Sequence, residues 1–180
     1  MANRAISKVE AIAPQERTAG EWPAIDPRAL RDAAGSFATG VTIVTTRDDE
    51  GAPVGLTANS FSSVSLDPPL VLWSLAKKSR AAAAFLSASH FAIHVLGDNQ
   101  QELAMRFASA TPDRFSGLEH AEGMGRVPVL TECRVRLECS TWDIVDGGDH
   151  HIFIGRVVAI RTPAEARGSL VFLKGQFHSL

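Results

Sequence analysis

The stretch from Gly147 to Val157, "GGDHHIFIGRV", sets a glycine pair and an aspartate ahead of two adjacent histidines and an apolar run. Paired histidines beside an acid are raw material for a metal site or for acid–base chemistry. In an extended chain, however, successive side chains project to opposite faces, so His150 and His151 cannot share one small site. Metal-binding histidines recur at alternate strand positions, four apart on a helix, or with cysteines at fixed spacing, and none of these patterns occurs here. No metal is therefore expected. One histidine can face a pocket, and the other is expected at the solvated surface.

Two further segments carry possible chemistry. "GLTANSFSSVSLDPP" (Gly55 to Pro69) concentrates small hydroxyl and amide side chains. It reads either as a solvated connection with local side-chain to backbone bonds or as a polar wall for a flat heteroaromatic ligand. "AKKSRAAAAF" puts Lys77, Lys78, Ser79 and Arg80 at a helix start, where exposed amides favour an anion. Basic side chains oppose the helix dipole there, so a bound phosphate would account for a placement that is otherwise a solubilising cluster. Hydrolysis is a weaker alternative, because no GxSxG elbow occurs and the acids are scattered rather than paired.

These segments need a scaffold. A chain of 180 residues can bury the core of one domain without disulfides or a structural metal. Its 18 basic and 20 acidic residues leave a formal charge of −2 and no basic stripe, which argues against a nucleic-acid partner. No apolar run reaches the roughly 18 residues of a membrane span, and no secretory block opens the chain, so a soluble cytoplasmic protein is expected. Cys133 and Cys139 lie about 20 Å apart if "TECRVRLECSTW" is extended, too far to bridge, and are expected as buried thiols on one strand face.

Residues 1–25 lack sustained periodicity and read as a flexible extension, with a domain over residues 26–180. Asp26 and Pro27 predict a short helix packed through Leu30, Ala33, Ala34 and Phe37. "VTIVTT" and "VGLTANS" predict a hairpin, and "PPLVLWSLA" a strand. Ser79 is expected to cap an alanine-rich helix, "HFAIHVLG" to form a strand, and Asp98 to start the helix of "DNQQELAMRFAS". Residues 110–128 read as a long irregular connection that lines a site or moves. "CRVRLECSTWDIV" and "HHIFIGRVVAI" predict a second hairpin through "DGGD", and "SLVFLKG" a closing strand. Short strands with tight turns suggest a mainly β protein, an antiparallel β-barrel with helices, while the absence of GxGxxG and GxxxxGK argues against nucleotide folds of the Rossmann and phosphate-loop kinds.

In order and spacing, "GLTANSFSSVSLDPPLVLWSL", "KKSR", "RFAS" and "GDHHIFIGRV" resemble the flavin reductase-like, FMN-binding split-barrel family over about Pro27 to Phe177. That resemblance implies a homodimer of antiparallel Greek-key split barrels binding FMN or FAD near the subunit interface, with NADH or NADPH as co-substrate. It places the isoalloxazine against Thr57, Ala58, Asn59 and Ser60, and the flavin phosphate near Lys77, Ser79 and Arg80. Arg106, Ser74, Lys174 and Gln176 are implied as further cofactor contacts, and His150 as the nicotinamide-positioning residue with His151 turned away. Relatives often carry a hydroxyl where Ala81 stands, and tyrosine and arginine where Phe177 and Gln176 stand. The implied activity is reduction of free flavin for a separate oxygenase; a protein that keeps its flavin for another acceptor, or a flavin-binding module without activity, are the alternatives.

Overall fold

The computed structural model describes residues 23–111, 113–162 and 168–180, so most of the expected N-terminal extension lies outside the described residues. Helix α1 (Pro27–Ala34) leads into β1 (Thr39–Gly40), β2 (Thr42–Arg47), β3 (Pro53–Ala58), β4 (Ser62–Leu66) and β5 (Pro69–Ala76). Helix α2 (Ala82–Ser87), β6 (His90–Val95) and α3 (Gln101–Ala108) follow, then the short β7 (His120–Glu122) and β8 (Pro128–Leu130). The long pair β9 (Val135–Gly147) and β10 (His150–Arg161) precedes β11 (Leu170–Leu173) and β12 (Gln176–Ser179).

Seven strands form one antiparallel sheet in the order β3-β2-β6-β9-β10-β5-β4, beside a three-stranded sheet β1-β11-β12 and the β7-β8 pair. The mainly β, antiparallel character expected is present, but the large sheet is not closed as a barrel: β3 and β4 are its edges, and no ladder among the described residues joins them. Its curl has a local cause. Trp142 on β9 and Val158 on β10 lack partners at the two register shifts of the β9-β10 ladder, and each extra residue bends its strand. Just before β4, Ser60 continues the β4-β5 pairing through its side chain, since its hydroxyl accepts from the Ser74 N–H at 2.9 Å and donates to the Ser74 carbonyl at 3.2 Å.

Strand β2 is buried on both faces from Thr42 to Thr46, which is why those five residues are all β-branched rather than alternating with polar types. Val44 faces an aromatic cluster with Trp73, Phe85, Phe91 and Phe153, and Ile43 faces a second cluster with Leu96, Phe107, Phe115 and Leu170. The buried hydroxyls between them are all bonded: Thr42 to Ala58 at 2.7 Å, Thr45 to Pro128 at 2.6 Å and Thr46 to His90 at 2.9 Å, each through a carbonyl. His94 is fully buried next to them. Its Nε2 accepts from the Leu130 N–H at 3.1 Å, so its Nδ1 carries the proton and donates to the Ile43 carbonyl at 3.1 Å. Burial lowers its pKa to about 4, the carbonyl of Ile43 opposing and Arg136 adding to the fall.

Several expectations are corrected. Asp26 does cap α1 and Pro27 does open it, yet the helix buries no residue, and Leu30 and Phe37 stand exposed. Ser79 does not cap α2, which begins after Ala81; its Oγ instead accepts from the Ala81 N–H one turn earlier. Asp98 does not start α3, whose N-cap is Gln100. The polar run before Pro69 contains strand β4, the connection of residues 110–128 contains β7 and a 3-10 turn at Met124–Arg126, and the chain closes with a hairpin rather than one strand. Cys139 is buried in β9, its thiol raised to about 12 by burial and by Glu138, whereas Cys133 precedes the strand and is half-buried.

Candidate functional site

The β9-β10 turn sets the position of His150. Gly148 has φ +80°, the conformation that a tight hairpin turn opening on glycine requires, and His150 pairs with Gly147 across it. The turn is fastened to the end of β5: Lys77 donates its backbone N–H to the Asp149 carbonyl at 2.9 Å and its ammonium to Asp146 at 2.5 Å. Asp146 also accepts from the Gly148 N–H, and the Lys77 hydrogen bond first, then this one, holds its carboxyl below the usual range. Asp149 accepts from His150 Nδ1 at 2.7 Å, and that bond holds its carboxyl low in turn. Because an ionised carboxylate only accepts, His150 holds a proton on Nδ1, and in the neutral ring Nε2 is the acceptor that faces a ligand.

His150 lines a groove of about 380 Å³ with Thr57, Ala58, Asn59, Ser60, Ser74 and Ser79, together with Phe107 and Arg114. Strand alternation separates the histidines, as the sequence requires. His151 is half-buried rather than solvated, with its ring 6.4 Å from that of Phe153. The wall is prearranged by bonds between distant segments. Thr57 donates to the Ala104 carbonyl at 2.6 Å and Asn59 to the Thr39 hydroxyl at 3.2 Å. The Thr57 and Ser60 protons are thereby spent on carbonyls, and these hydroxyls offer a ligand lone pairs; Asn59 keeps a second amide proton.

Other sequence-selected residues lie elsewhere. Lys77 belongs to the turn, and its ammonium is paired with Asp146. Arg106 is turned to the Ser116 carbonyl and is not among the groove's lining. Lys174 lines a separate cavity between α1 and the β11-β12 turn, and the exposed Gln176 pairs with Leu173 in that hairpin. Phe177 is packed against Phe172, ring centroids 5.2 Å apart. Arg80 lines a second cavity of about 310 Å³, which shares Ser79 and Arg114 with the groove.

Arg114 is the functional candidate that sequence reasoning missed. Its Nη1 donates to the Gly55 carbonyl and its Nη2 to the Ser109 carbonyl, both at 2.6 Å, while its buried Nε has no partner. Burial first, then the positive charge of Arg80, push this guanidinium below its ordinary pKa. No side-chain spacing marks it in the sequence; in the fold Phe115 is buried beside Phe107 and Asp113 accepts from the Phe115 N–H at 3.0 Å, which fixes the backbone on either side of Arg114. The groove therefore combines a polar wall, the Phe107 ring, an imidazole and a cation with no carboxylate partner among the described residues. That donor set suits a flat, anionic heteroaromatic molecule.

Comparison with known proteins gives one consistent answer. A family model described as a flavin reductase like domain matches residues 34–180. The chain is 52% identical over 134 residues to a Rhizobium meliloti protein described as a flavin reductase, covering 74% of this chain and 43% of that protein. It is 44% identical over 154 residues to the reductase subunit HsaB of a flavin-dependent monooxygenase from Rhodococcus jostii, covering 86% and 78%. The solved structure of BorF, the flavin reductase component of a bacterial two-component tryptophan halogenase, matches with a TM-score of 0.78 at 38% identity, covering 86% of this chain and 98% of that one. The chain spans 43% and 60% of the length of two of the Rhizobium meliloti relatives it matches. Among the described residues, no helix is long and apolar enough to cross a membrane.

Proposed function

The chain belongs to the flavin reductase-like family, and from that premise we propose that it is an NAD(P)H:flavin oxidoreductase. It reduces FMN or FAD by direct hydride transfer and supplies the reduced flavin to a separate monooxygenase component. The observation that carries the reading is the convergence of Thr57 to Ser60, Ser74, Ser79 and His150 on one groove, with Arg114 as its fixed charge. A flavin bound there supplies the two-electron chemistry, and the chain's own task is to bind, orient and exclude water. Thr57, Asn59, Ser60 and Ser74 form the polar side of the isoalloxazine site, and Ser79 with Arg114 meets the first phosphate. The Ser79 hydroxyl accepts from the Ala81 N–H at 3.3 Å, which leaves its own proton for a phosphate oxygen. His150, with Nε2 as an acceptor, suits the amide N–H of a nicotinamide, and holding the two rings together converts an encounter into a unimolecular step.

Purified protein is expected to oxidise NADH or NADPH only when FMN or FAD is present, followed at the nucleotide's absorbance. Failure to bind any flavin, or to oxidise either nucleotide, sinks the proposal; turnover confined to a tightly held flavin with another acceptor selects a flavin-retaining reductase instead. His150→Ala is expected to raise the apparent nucleotide KM about tenfold, the worth of one good hydrogen bond, with a smaller change in flavin affinity. The opposite ranking in steady-state kinetics and flavin titration would assign His150 to the flavin.

The same reading makes the chain one subunit of a homodimeric split barrel with Greek-key connections. Leu30 and Phe37 near α1, Leu66 at the β4-β5 turn and Ile160 on β10 are large apolar side chains exposed in the single chain, which a second copy would cover. Lys174 and Gln176 then remain candidates for a shared site. Light scattering is expected to give twice the mass of one chain, and a monomer would end this part of the proposal.

A further inference from the structure

The imidazole of His150 stands at the last rung of the β5-β10 ladder, opposite Ala76. Strand β6 pairs with β9 only as far as Ser140, so the outer part of the β9-β10 hairpin takes its ladder from β5 alone, and its tip contains Gly147 and Gly148, which restrain a backbone least. One residue fixes that tip. Lys77, directly after β5, donates its N–H to the Asp149 carbonyl and its ammonium to Asp146, so both residues that flank the glycine pair are held by the same lysine. Asp146 in turn accepts from the Gly148 N–H at 3.0 Å, which carries the clamp into the turn, and Asp149 holds the imidazole through Nδ1. Lys78, the next residue, is exposed and makes no ion pair among the described residues.

We propose that Lys77 and Asp146 are positioning residues for the nicotinamide half of the reaction, which act through the turn that carries His150, and that the Lys77 ammonium is a tether of this turn rather than a contact to flavin phosphate. The inference rests on the reading of His150 as the nicotinamide-positioning residue. A turn released from its tether lets the imidazole wander, so nucleotide binding weakens while the bound complex still reacts; KM rises and kcat holds. An exposed ion pair is worth a factor of about three.

Steady-state kinetics of the full chain with FMN and NADH test the assignment. Lys77→Met and Asp146→Asn are each expected to raise the KM for NADH about threefold, with little change in kcat or in the KM for FMN. The exchanged pair, Lys77→Asp with Asp146→Lys, is expected to recover most of that loss, whereas Lys78→Met, which removes the same charge one residue away, is expected to leave the KM for NADH close to its starting value. In a His150→Ala background Asp146→Asn is expected to add nothing, because the side chain it positions is gone. A rise in the KM for FMN with Lys77→Met alone would make Lys77 a phosphate contact and overturn the proposal. Equal effects of Lys77→Met and Lys78→Met would assign the change to net charge and overturn it too, as would a full further rise in the His150→Ala background. If His150→Ala itself leaves the KM for NADH unchanged, the reading of His150 fails and the tether loses its object; if His150→Ala raises it and Asp146→Asn does not, the tether alone fails.

Discussion

Between pH 6.5 and pH 4 the folded state is expected to lose about 3 kcal/mol of stability through one buried ring, that of His94. Folding lowers the pKa of this histidine, so between these values the unfolded chain binds a proton that the folded chain refuses. The contribution is complete above pH 6.5 and drains away as pH falls towards 4, at up to about 1.4 kcal/mol per pH unit. Asp146 and Asp149, whose carboxyls are also lowered, titrate below their ordinary 3.8 and so act in a separate, more acidic window. Protonation would also convert Nε2 from acceptor to donor and break its bond with the Leu130 N–H, so β8 is the element expected to loosen first. Urea unfolding at a series of pH values measures the slope. His94→Asn can keep a donor for Ile43 but offers nothing placed for Leu130, and is expected to be less stable at pH 7 yet flatter between 6.5 and 4. An unchanged slope in that variant would assign the acid sensitivity to another group.

Gly155→Ala is expected to destabilise the protein by about 2 to 3 kcal/mol and lower the melting temperature by about 5 to 10 °C. Glycine is a poor strand residue, and alanine in an open strand position would stabilise by roughly 0.5 to 1 kcal/mol through the unfolded chain. Here space decides the sign. An added Cβ would overlap Cζ of Phe91 and come within 3.0 Å of Cβ of Cys139. The Phe91 ring is buried and cannot simply swing aside, because Trp73 packs edge-on to it at 6.0 Å and is itself stacked on Phe153 at 4.8 Å. Shortening the obstacle tests the cause: Phe91→Leu should cost less in the Gly155→Ala background than alone, with a coupling of about 1 kcal/mol in a double-mutant cycle. A melting temperature for Gly155→Ala within about 2 °C of the unmodified protein would show that the strand yields more readily than its packing implies.

Much of the scaffold was legible where one physical signal dominated. The β2-β3 and β9-β10 hairpins announce themselves through β-branched runs and glycine turns, and the Asp26-Pro27 start of α1 through its cap. Strand β4 was hidden because "SSVSL" is an exposed edge strand with little apolar alternation, and β12 because only Phe177 of "QFHS" meets the core. In the site, strand alternation separated His150 from His151 before any fold was known. The cations were harder. Lys77 and Arg106 stand close in sequence to the right segments, but each found a nearer partner, Asp146 and the Ser116 carbonyl. Arg114 is held by the carbonyls of Gly55 and Ser109, and main-chain acceptors contributed by a strand and a loop leave no trace in side-chain spacing.

Arg80 and Arg114, which have no carboxylate partner among the described residues, make the ionic medium a participant in this region. Their mutual repulsion, unlike an ion pair, is relieved by added salt, which screens charge over about 8 Å at 0.15 M ionic strength. Sodium chloride is therefore expected to firm the region around Ser79 and Ala110 in the ligand-free chain while it weakens capture of an anionic ligand. Phosphate or sulfate in a buffer acts on both guanidiniums as a competitor, so the affinity of this groove is a property of protein and solution together.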